Sequence, residues 1–341
     1  MSGTWISLTQ LKHIIETALC AHGTEIGNAE LVARALVSAE ADGLLGHGLS
    51  RLTSYCAQVA SGKINGHAVP AVRKVADAAV VVDANHGFAY PAIQLAIEKL
   101  AALAPKTGVA IAAITRSHHC GAAGHHVEDL AKLYLIGLMF ANTPKAIAPW
   151  GGRRGVLGTN PIAFAAPRKQ KEPLVIDMSL SRVARGKILI ASQQGRPIPE
   201  GWALDDQGKS TTNPESALTG TMIPIGGAKG AALALLVEVL AAALTASNFG
   251  FEASSFFSSQ GCPPSVGQLI IAIASSPISN GQFETRLEEL IDEILIQGDT
   301  RLHGDRRLNF REEAYRNGIS ITDKQYQEIL SLCSFRKGTH E

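Results

Sequence analysis

Charge is scarce and nearly balanced in this chain. Of its 341 residues, 31 are lysine or arginine and 30 are aspartate or glutamate, which leaves a net charge of +1. This balance gives no general attraction for nucleic acid or for an acidic membrane surface, and no basic stretch is interleaved with stacking aromatic residues. We therefore expect neither a nucleic-acid partner nor a membrane partner.

Long apolar runs and paired cysteines are also lacking. The most apolar segment, 231–246, contains Glu238 and falls short of the ~20 residues that a membrane span needs. The N-terminal segment does not have the form of a signal peptide. The five cysteines are scattered and odd in number, without a Cys-x-x-Cys pair, which argues against a disulfide framework. These absences predict a cytoplasmic protein.

The glycine fingerprint of the Rossmann fold is missing as well. No Gly-x-Gly-x-x-Gly follows a predicted strand, and the nearest approach, Gly226–Gly230, precedes a predicted helix. Backbone N–H groups at that helix start could hold a phosphate together with Lys229. The same segment could equally be an ordinary glycine-rich entry to a buried helix, so both interpretations stay open.

The hydrophobic pattern that is present predicts an α/β protein. Hydrophobic residues make up 46% of the chain, enough for a sizeable core. Predicted strands alternate with predicted helices, which favours α/β architecture. Three helices are predicted over 7–60 and a long loop over 195–224. Further strands are predicted at 80–83, 109–115, 135–142, 162–165, 174–177 and 269–274, and further helices at 91–103, 120–133, 183–193, 229–246, 284–297 and 323–332.

A histidine and an arginine lie four positions apart after the second predicted helix. The pattern predicts a third helix from about His47 to Ala60, which would place His47 and Arg51 on one face. A proton-transfer group one turn from a fixed cation suits a carboxylate substrate with a reducible carbon beside it. The alternative is a surface pair beside a loop.

Two pairs of adjacent histidines are candidate metal ligands, but their spacing is not that of a known metal site. His118–His119 and His125–His126 match no common zinc pattern, so we predict no metal site. His118 is better explained as part of a polar pocket wall. Two further segments, Gly158–Pro161 and Asp177–Ser179, border predicted strands, where α/β sheets usually bind ligands. Turn chemistry and a helix N-cap are their alternatives.

Taken in order, these segments resemble the malate/L-lactate dehydrogenase type-2 family. That family also holds sulfolactate, ureidoglycolate and diketogulonate enzymes and the Δ1-pyrroline- and Δ1-piperideine-2-carboxylate reductases. The resemblance runs from about residue 7 to residue 310. It rests on Asp42–Gly43 with His47–Gly48 and Arg51, Arg116–His119, Gly158–Phe164, Ile176–Ser179, Ala184–Lys187, and Gly226–Gly230 with Glu238.

The resemblance implies a mixed-sheet NAD(P)-binding fold unrelated to the Rossmann fold, with an N-terminal helical region packed against C-terminal helices. It implies a homodimer and three units within the chain. These are a helical domain (1–60 plus 284–341), a mixed-sheet domain with the substrate and cofactor site (61–115 plus 160–283), and a smaller cofactor-side subdomain (116–159).

The resemblance also implies roles for single residues. The position of His47 is the acid/base, Arg51 binds the substrate carboxylate, and His118 and Thr159 line the substrate site. The dinucleotide is expected to contact Ser117, His119, Asn160, Val175, Ile176, Asp177, Met178, Ser179, Ala228, Lys229, Gly230 and Gly304.

The implied function is an NAD(P)H-dependent oxidoreductase that interconverts a small 2-oxo acid and a 2-hydroxy acid. Hydride would reach C2 and His47 would be the proton donor. The cofactor would be NAD or NADP, with NADPH slightly favoured. A cyclic 2-imino acid reductase is the alternative, but such reductases carry other residues where this chain has Leu44–Leu45 and Lys187. A non-catalytic dinucleotide-binding protein would not need His47 and Arg51 together, and a metal hydrolase would need zinc.

Overall fold

The computed structural model of the chain describes residues 3–334, so the outermost parts of the predicted helical domain, 1–2 and 335–341, lie outside the described residues. Twelve α-helices occur in the described residues, and they predominate before residue 60 and after residue 275. In chain order they are α1 Leu8–Ala21, α2 Ile26–Ala41, α3 Leu52–Ala60, α4 Ala89–Thr107, α5 Ala123–Lys132, α6 Arg185–Gln193, α7 Pro214–Thr219, α8 Ala228–Glu238, α9 Ser275–Ile278, α10 Phe283–Leu295, α11 Asp305–Asn317 and α12 Asp323–Cys333.

The strands form one large sheet and two small ones. In chain order they are β1 Gly3–Ile6, β2 Ala71–Ala76, β3 Ala79–Asp83, β4 Val109–Ser117, β5 Leu135–Ala141, β6 Ile162–Arg168, β7 Lys171–Met178, β8 Ala203–Leu204, β9 Ser210–Thr211, β10 Thr221–Met222, β11 Val266–Ala274 and β12 Ile319–Thr322. The large sheet has seven strands in the order β2-β3-β4-β11-β5-β6-β7. Only β3 and β4 run parallel among its pairs, which confirms the predicted mixed α/β sheet.

The central strand β11 shows how the large sheet is covered on both faces. Its Ile270 and Ala272 are buried in a core that includes residues of α4 and α5. Its Leu269 belongs instead to a second core, which includes residues of α6 and α8. Successive side chains of a strand point to opposite faces, so α4 and α5 cover one face and α6 and α8 the other.

A third core joins the two ends of the chain. Buried residues of α1, α2 and α3 pack with Ile321 of β12 and Ile329 of α12. Strand β1 pairs with β12, which ties the first described residues to the last helix. The division of the chain into three units at the predicted boundaries stays a prediction.

One edge of the large sheet collects the predicted site segments. Ser117 at the end of β4 pairs with Val266, and Ile162 at the start of β6 pairs with Met178 at the end of β7. Between them, β5 ends beside the start of β11. Segments 117–119, 158–161 and 175–179 therefore leave the sheet at the same edge, although they are far apart in sequence.

Two sequence-based predictions of secondary structure are wrong, and several elements, β1, β2, β12 and α11 among them, were not predicted. The helix predicted from His47 begins only at Leu52, after a short 3-10 turn at Leu49–Arg51. The segment 195–224 is not wholly a loop, because β8, β9 and β10 form a small sheet there beside α7. Helix α11 was not predicted; it is strongly polar and buries only Ala314, so it gives no apolar stripe.

Candidate active site

A buried carboxylate shapes the turn that carries His47. Glu40 at the end of α2 accepts a hydrogen bond of 2.6 Å from the backbone N–H of Leu49. A Cβ on Gly48 would lie 2.3 Å from Glu40 Oε1, so only glycine allows this close approach. This contact, rather than a helix start, sets the backbone at His47.

The His47 ring stacks on a second imidazole. Its plane lies 15° from that of His119, with the ring centroids 5.6 Å apart. Enclosure by the protein lowers the pKa of His47 to about 4, and the positive charge of Arg51 acts in the same direction. His47 is therefore a neutral imidazole at neutral pH and can accept a proton.

Buried hydroxyl groups hold the His119 ring in place. The Tyr55 hydroxyl lies 2.6 Å from His119 Nδ1 and 3.1 Å from the Tyr90 hydroxyl. Burial raises the pKa of Tyr55 to about 12, so its proton stays in this hydrogen-bonded row. His119 was predicted to bind the cofactor; its ring lies between His47 and Tyr55.

Arg51 lies beside His47, as predicted, although no shared α-helix places it there. Its Nε donates to the carbonyl of Gly46 at 2.7 Å, and the Phe257 ring centroid lies 4.4 Å from its Cζ. Its Nη1 is buried and has no hydrogen-bond partner among the described residues. An unpaired buried guanidinium nitrogen is costly, and a carboxylate ligand would satisfy it.

His118 is held as a hydrogen-bond acceptor toward any ligand. Gln58 donates through Nε2 to the carbonyl of Phe256 at 2.8 Å, so its Oε1 accepts from His118 Nε2 at 2.9 Å. This leaves His118 Nδ1 without a proton and without a partner among the described residues. Burial lowers the pKa of His118 to about 3, which keeps the ring neutral.

A buried carboxylate, Glu238, fixes Asn160, and Thr143 holds the neighbouring Thr159 through its backbone N–H. Asn160 Nδ2 donates to Glu238 at 3.0 Å and to the carbonyl of Ala234 at 2.9 Å. The Thr159 hydroxyl lies 3.2 Å from that of Thr143 and stays partly exposed. Thr159 is therefore free to meet a ligand, whereas the Asn160 side chain is used within the protein.

The predicted cofactor segment at the end of β7 contacts the starts of two helices. Asp177 accepts a hydrogen bond of 2.7 Å from the backbone N–H of Gly124 in the first turn of α5. Gly304, with φ of +96°, begins α11 next to the carbonyl of Val175. This conformation suits glycine and brings the first turn of α11 to the strand.

The start of α8 lies close to the same segment. The backbone N–H of Ile225 donates to the carbonyl of Leu180 at 2.9 Å, which ties the glycine-rich entry of α8 to the end of β7. No side chain caps α8, and Lys229 in its first turn is exposed. Uncapped N–H groups beside a lysine fit a phosphate, so the residues present fit a dinucleotide laid across this edge.

A buried network of ion pairs connects Asp42, beside the His47 turn, with α5 and α11. Asp42, which precedes the His47 turn, accepts hydrogen bonds from Arg311 at 2.7 Å, from Arg307 at 2.9 Å and from His125 at 2.8 Å. Glu128 on α5 accepts from the same two arginines. Helix α11 is thus tied to the residue that precedes the turn carrying His47.

The structure brings some of the predicted site residues into contact with one another and places others apart. The structure gathers His47, Arg51, His118 and His119 in a first cluster. Gly304 lies beside Val175 of β7, and the entry to α8, which precedes Lys229, bonds to Leu180 just after β7. The role of each of these residues stays a prediction. Four further residues were not predicted from the sequence. Tyr55, Gln58 and Phe257 contact the first cluster, and Lys63 bonds to Ser255 in the loop that carries Phe257. Among residues 3–334, no group of three or more histidine, cysteine or acidic side chains is placed to hold a metal ion. None of the helices in that range is long and apolar enough to cross a membrane.

Comparison with known proteins gives consistent matches over nearly the whole chain. A family model described as malate/L-lactate dehydrogenase matches residues 6–330. The (2R)-3-sulfolactate dehydrogenase (NADP(+)) of Chromohalobacter salexigens is 51% identical over 308 residues, covering 90% of this chain and 92% of that enzyme. The Δ1-pyrroline-2-carboxylate/Δ1-piperideine-2-carboxylate reductase of Pseudomonas putida is 39% identical over 332 residues, which are 96% of each chain.

A solved structure agrees with these sequence matches. The Δ1-piperideine-2-carboxylate reductase of Pseudomonas syringae superposes with a TM-score of 0.92 at 39% identity, covering 96% of this chain and 99% of that one. The predicted resemblance and the predicted enzyme class, an oxidoreductase, are confirmed by these matches. The chain belongs to the malate/L-lactate dehydrogenase family.

Proposed function

We propose that this protein is an NAD(P)H-dependent oxidoreductase that interconverts a small 2-oxo acid and the corresponding 2-hydroxy acid. The observation that carries the proposal is the pairing of a neutral imidazole, His47, with the partly unsatisfied guanidinium of Arg51. One group moves a proton and the other binds a carboxylate. The identity to a sulfolactate dehydrogenase supports a hydroxy acid as the substrate.

The residues of the first cluster have different proposed roles in the reaction. Arg51 binds the carboxylate and so orients C2 of the substrate. In oxidation His47 takes the hydroxyl proton, and in reduction the protonated ring returns it to the oxygen on C2. His119, fixed by Tyr55, keeps the His47 ring in position, and His118 and Thr159 complete the pocket wall.

A nicotinamide cofactor, when bound, supplies or accepts the hydride. The residues that would hold it are those at the β7 end, the first turn of α8 with Lys229, and Gly304. NADP is favoured over NAD, because the sulfolactate dehydrogenase is named for NADP(+).

A cyclic 2-imino acid is the second candidate substrate. It is supported by the Pseudomonas reductases, which match in sequence and in structure over 96% of the chain. An imine nitrogen would take its proton from His47 in the same way as a carbonyl oxygen. Leu44–Leu45 and Lys187, where such reductases carry other residues, favour the hydroxy acid.

A substrate panel tests both candidates. Loss of reduced-nicotinamide absorbance would be followed with NADH and with NADPH, against sulfopyruvate, pyruvate, oxaloacetate, Δ1-pyrroline-2-carboxylate and Δ1-piperideine-2-carboxylate. We expect the highest kcat/KM with a 2-oxo acid and NADPH. A preference for either cyclic imine would establish the second candidate, and no turnover of any of the five would contradict the proposal.

A homodimer in the cytoplasm is part of the same proposal. Helix α8 and the π-helical turn that continues it, Val239–Ala243, bury one face and leave a second, apolar stripe exposed up to Leu244. We propose that a second copy of the chain packs against this stripe. Its members, exposed by between 41% and 57%, are Leu233, Leu235, Leu236, Val239 and Leu244. The five cysteines are all unpaired thiols, which supports a reducing compartment.

A further inference from the structure

Two neighbouring aromatic rings lie against the candidate active site from a loop without helix or strand, residues 253–265. The buried Phe256 ring lies 5.1 Å from the His118 ring and 5.2 Å from the His119 ring, measured between centroids. The exposed Phe257 ring lies 4.4 Å from Arg51 Cζ. This loop therefore contacts both the histidines and the arginine of the site.

A buried lysine anchors that loop. Lys63 Nζ donates to the carbonyls of Ser255, Ser258 and Gln260 at 2.7, 2.8 and 2.9 Å. The residue is 2% exposed, and no carboxylate within residues 3–334 forms an ion pair with it. Burying an ammonium group against carbonyl dipoles alone lowers the stability of the fold. The three hydrogen bonds of Lys63 partly offset this cost and fix the conformation of the loop.

We propose that Phe257 is a specificity-determining residue of the substrate site and that Lys63 is the positioning residue that holds it there. The Phe257 ring and the Gly46 carbonyl fix the plane of the Arg51 guanidinium. This leaves the unpartnered Nη1 to receive one oxygen of a substrate carboxylate. The ring would thus sharpen the preference for a carboxylate over an uncharged group, an inference that rests on the proposed function.

Replacing the ring tests this role. Phe257→Leu keeps an apolar side chain but removes the π face, and Phe251→Leu, at another exposed phenylalanine stacked on Phe249, is the matched control. With the best 2-oxo acid of the panel, we expect Phe257→Leu to raise KM about 3- to 10-fold, the worth of a partly desolvated cation–π contact. The KM for cofactor and the kinetics of Phe251→Leu should stay unchanged.

The methyl ester of the same acid is the second readout. We expect Phe257→Leu to reduce the preference for acid over ester in kcat/KM by the same factor. Unchanged KM and an unchanged acid-to-ester ratio in an active variant would overturn the inference. An inactive wild-type protein would instead count against the proposed function, so the two failures are distinguishable.

A double-variant cycle tests whether Lys63 acts through Phe257. Lys63→Met should raise the KM for the 2-oxo acid, and the combination with Phe257→Leu should add little to the effect of Phe257→Leu alone. Fully additive effects on KM would show that Lys63 is merely structural. If Lys63→Met does not fold, Lys63→Gln, which keeps N–H donors for the carbonyls, takes its place in the cycle.

Discussion

The imidazole rings of His47 and His119 lie nearly parallel, with their centroids 5.6 Å apart. His47 reaches this place from the turn after α2, and His119 from the loop after β4. The stack therefore joins the helical layer to the edge of the large sheet, where the predicted cofactor residues lie. A proton-transfer group at this junction can exchange a proton with a substrate bound between the helical layer and the sheet.

Removing the His47 imidazole is expected to slow the chemical step. His47→Gln should lower kcat by about 10²- to 10⁴-fold, the usual worth of general acid–base catalysis. Cofactor affinity, measured by titration of reduced-nicotinamide fluorescence, should be unchanged. The matched control is His67→Gln at an exposed histidine. Wild-type turnover in His47→Gln would remove the assigned role.

The lowered pKa of His47 predicts a pH profile. Enclosure and the Arg51 charge bring it to about 4, so the protonated ring becomes rarer as pH rises above that value. The kcat/KM for reduction should fall about tenfold per pH unit between pH 6 and 8, and that for oxidation should not depend on His47 there. A plateau for reduction below about pH 6.5 would instead indicate an ordinary histidine.

The ionic network predicts how stability depends on pH. Burial alone would raise the pKa of Glu128, but hydrogen bonds from Arg311 and Arg307 lower it from 4.5 to about 2. A carboxylate with a lowered folded-state pKa stabilises the protein fully above its unfolded pKa, and this stability is lost as pH falls toward the folded value. The window is therefore about pH 4.5 down to 2.

Glu128→Gln tests that network. It leaves buried arginines short of a partner, so we expect a loss of about 3–5 kcal/mol in the free energy of unfolding at pH 7, measured by urea denaturation. The difference from wild type should shrink below pH 4.5, where the wild-type carboxylate becomes protonated. Glu312→Gln, at an exposed ion pair on α11, is the control and should change little. Equal stability of Glu128→Gln and wild type would contradict this account.

The exposed stripe of α8 predicts the oligomeric state. Wild-type protein should sediment as a dimer, and Leu236→Glu should shift it to a monomer because a charge cannot be buried in an apolar interface. Val69→Glu, at a more exposed apolar residue away from α8, should leave the dimer intact. A monomeric wild type, or a dimeric Leu236→Glu, would exclude α8 as the interface.

The sequence predicted most strands and helices because their apolar periodicity is strong. It also predicted that His47 and Arg51 share a site, but on the first turn of a helix that in the structure begins only at Leu52. The actual cause is the contact between Glu40 and Leu49, which no local pattern reveals. Likewise Gln58 and Phe256 are 198 positions apart, so their hydrogen bond depends on the whole fold.

Polar groups that become buried only in the folded chain leave no pattern in the amino-acid sequence. Tyr55 looks like one member of an apolar stripe, and only its burial makes a partner for the hydroxyl necessary. Lys63 looks like an exposed lysine in a loop until the chain around it is folded. Both residues follow from tertiary packing rather than from spacing.

The shared carboxylate at Asp42 has a consequence for how this chain can diverge. It receives Arg307 and Arg311, which come from more than 260 positions later in the sequence. A neutral residue at Asp42 would leave Glu128 as the one carboxylate shared by both guanidinium groups, and loss of either arginine would leave Asp42 and Glu128 to share the other. Substitutions at these four positions therefore affect one another's cost, and related chains should change them together.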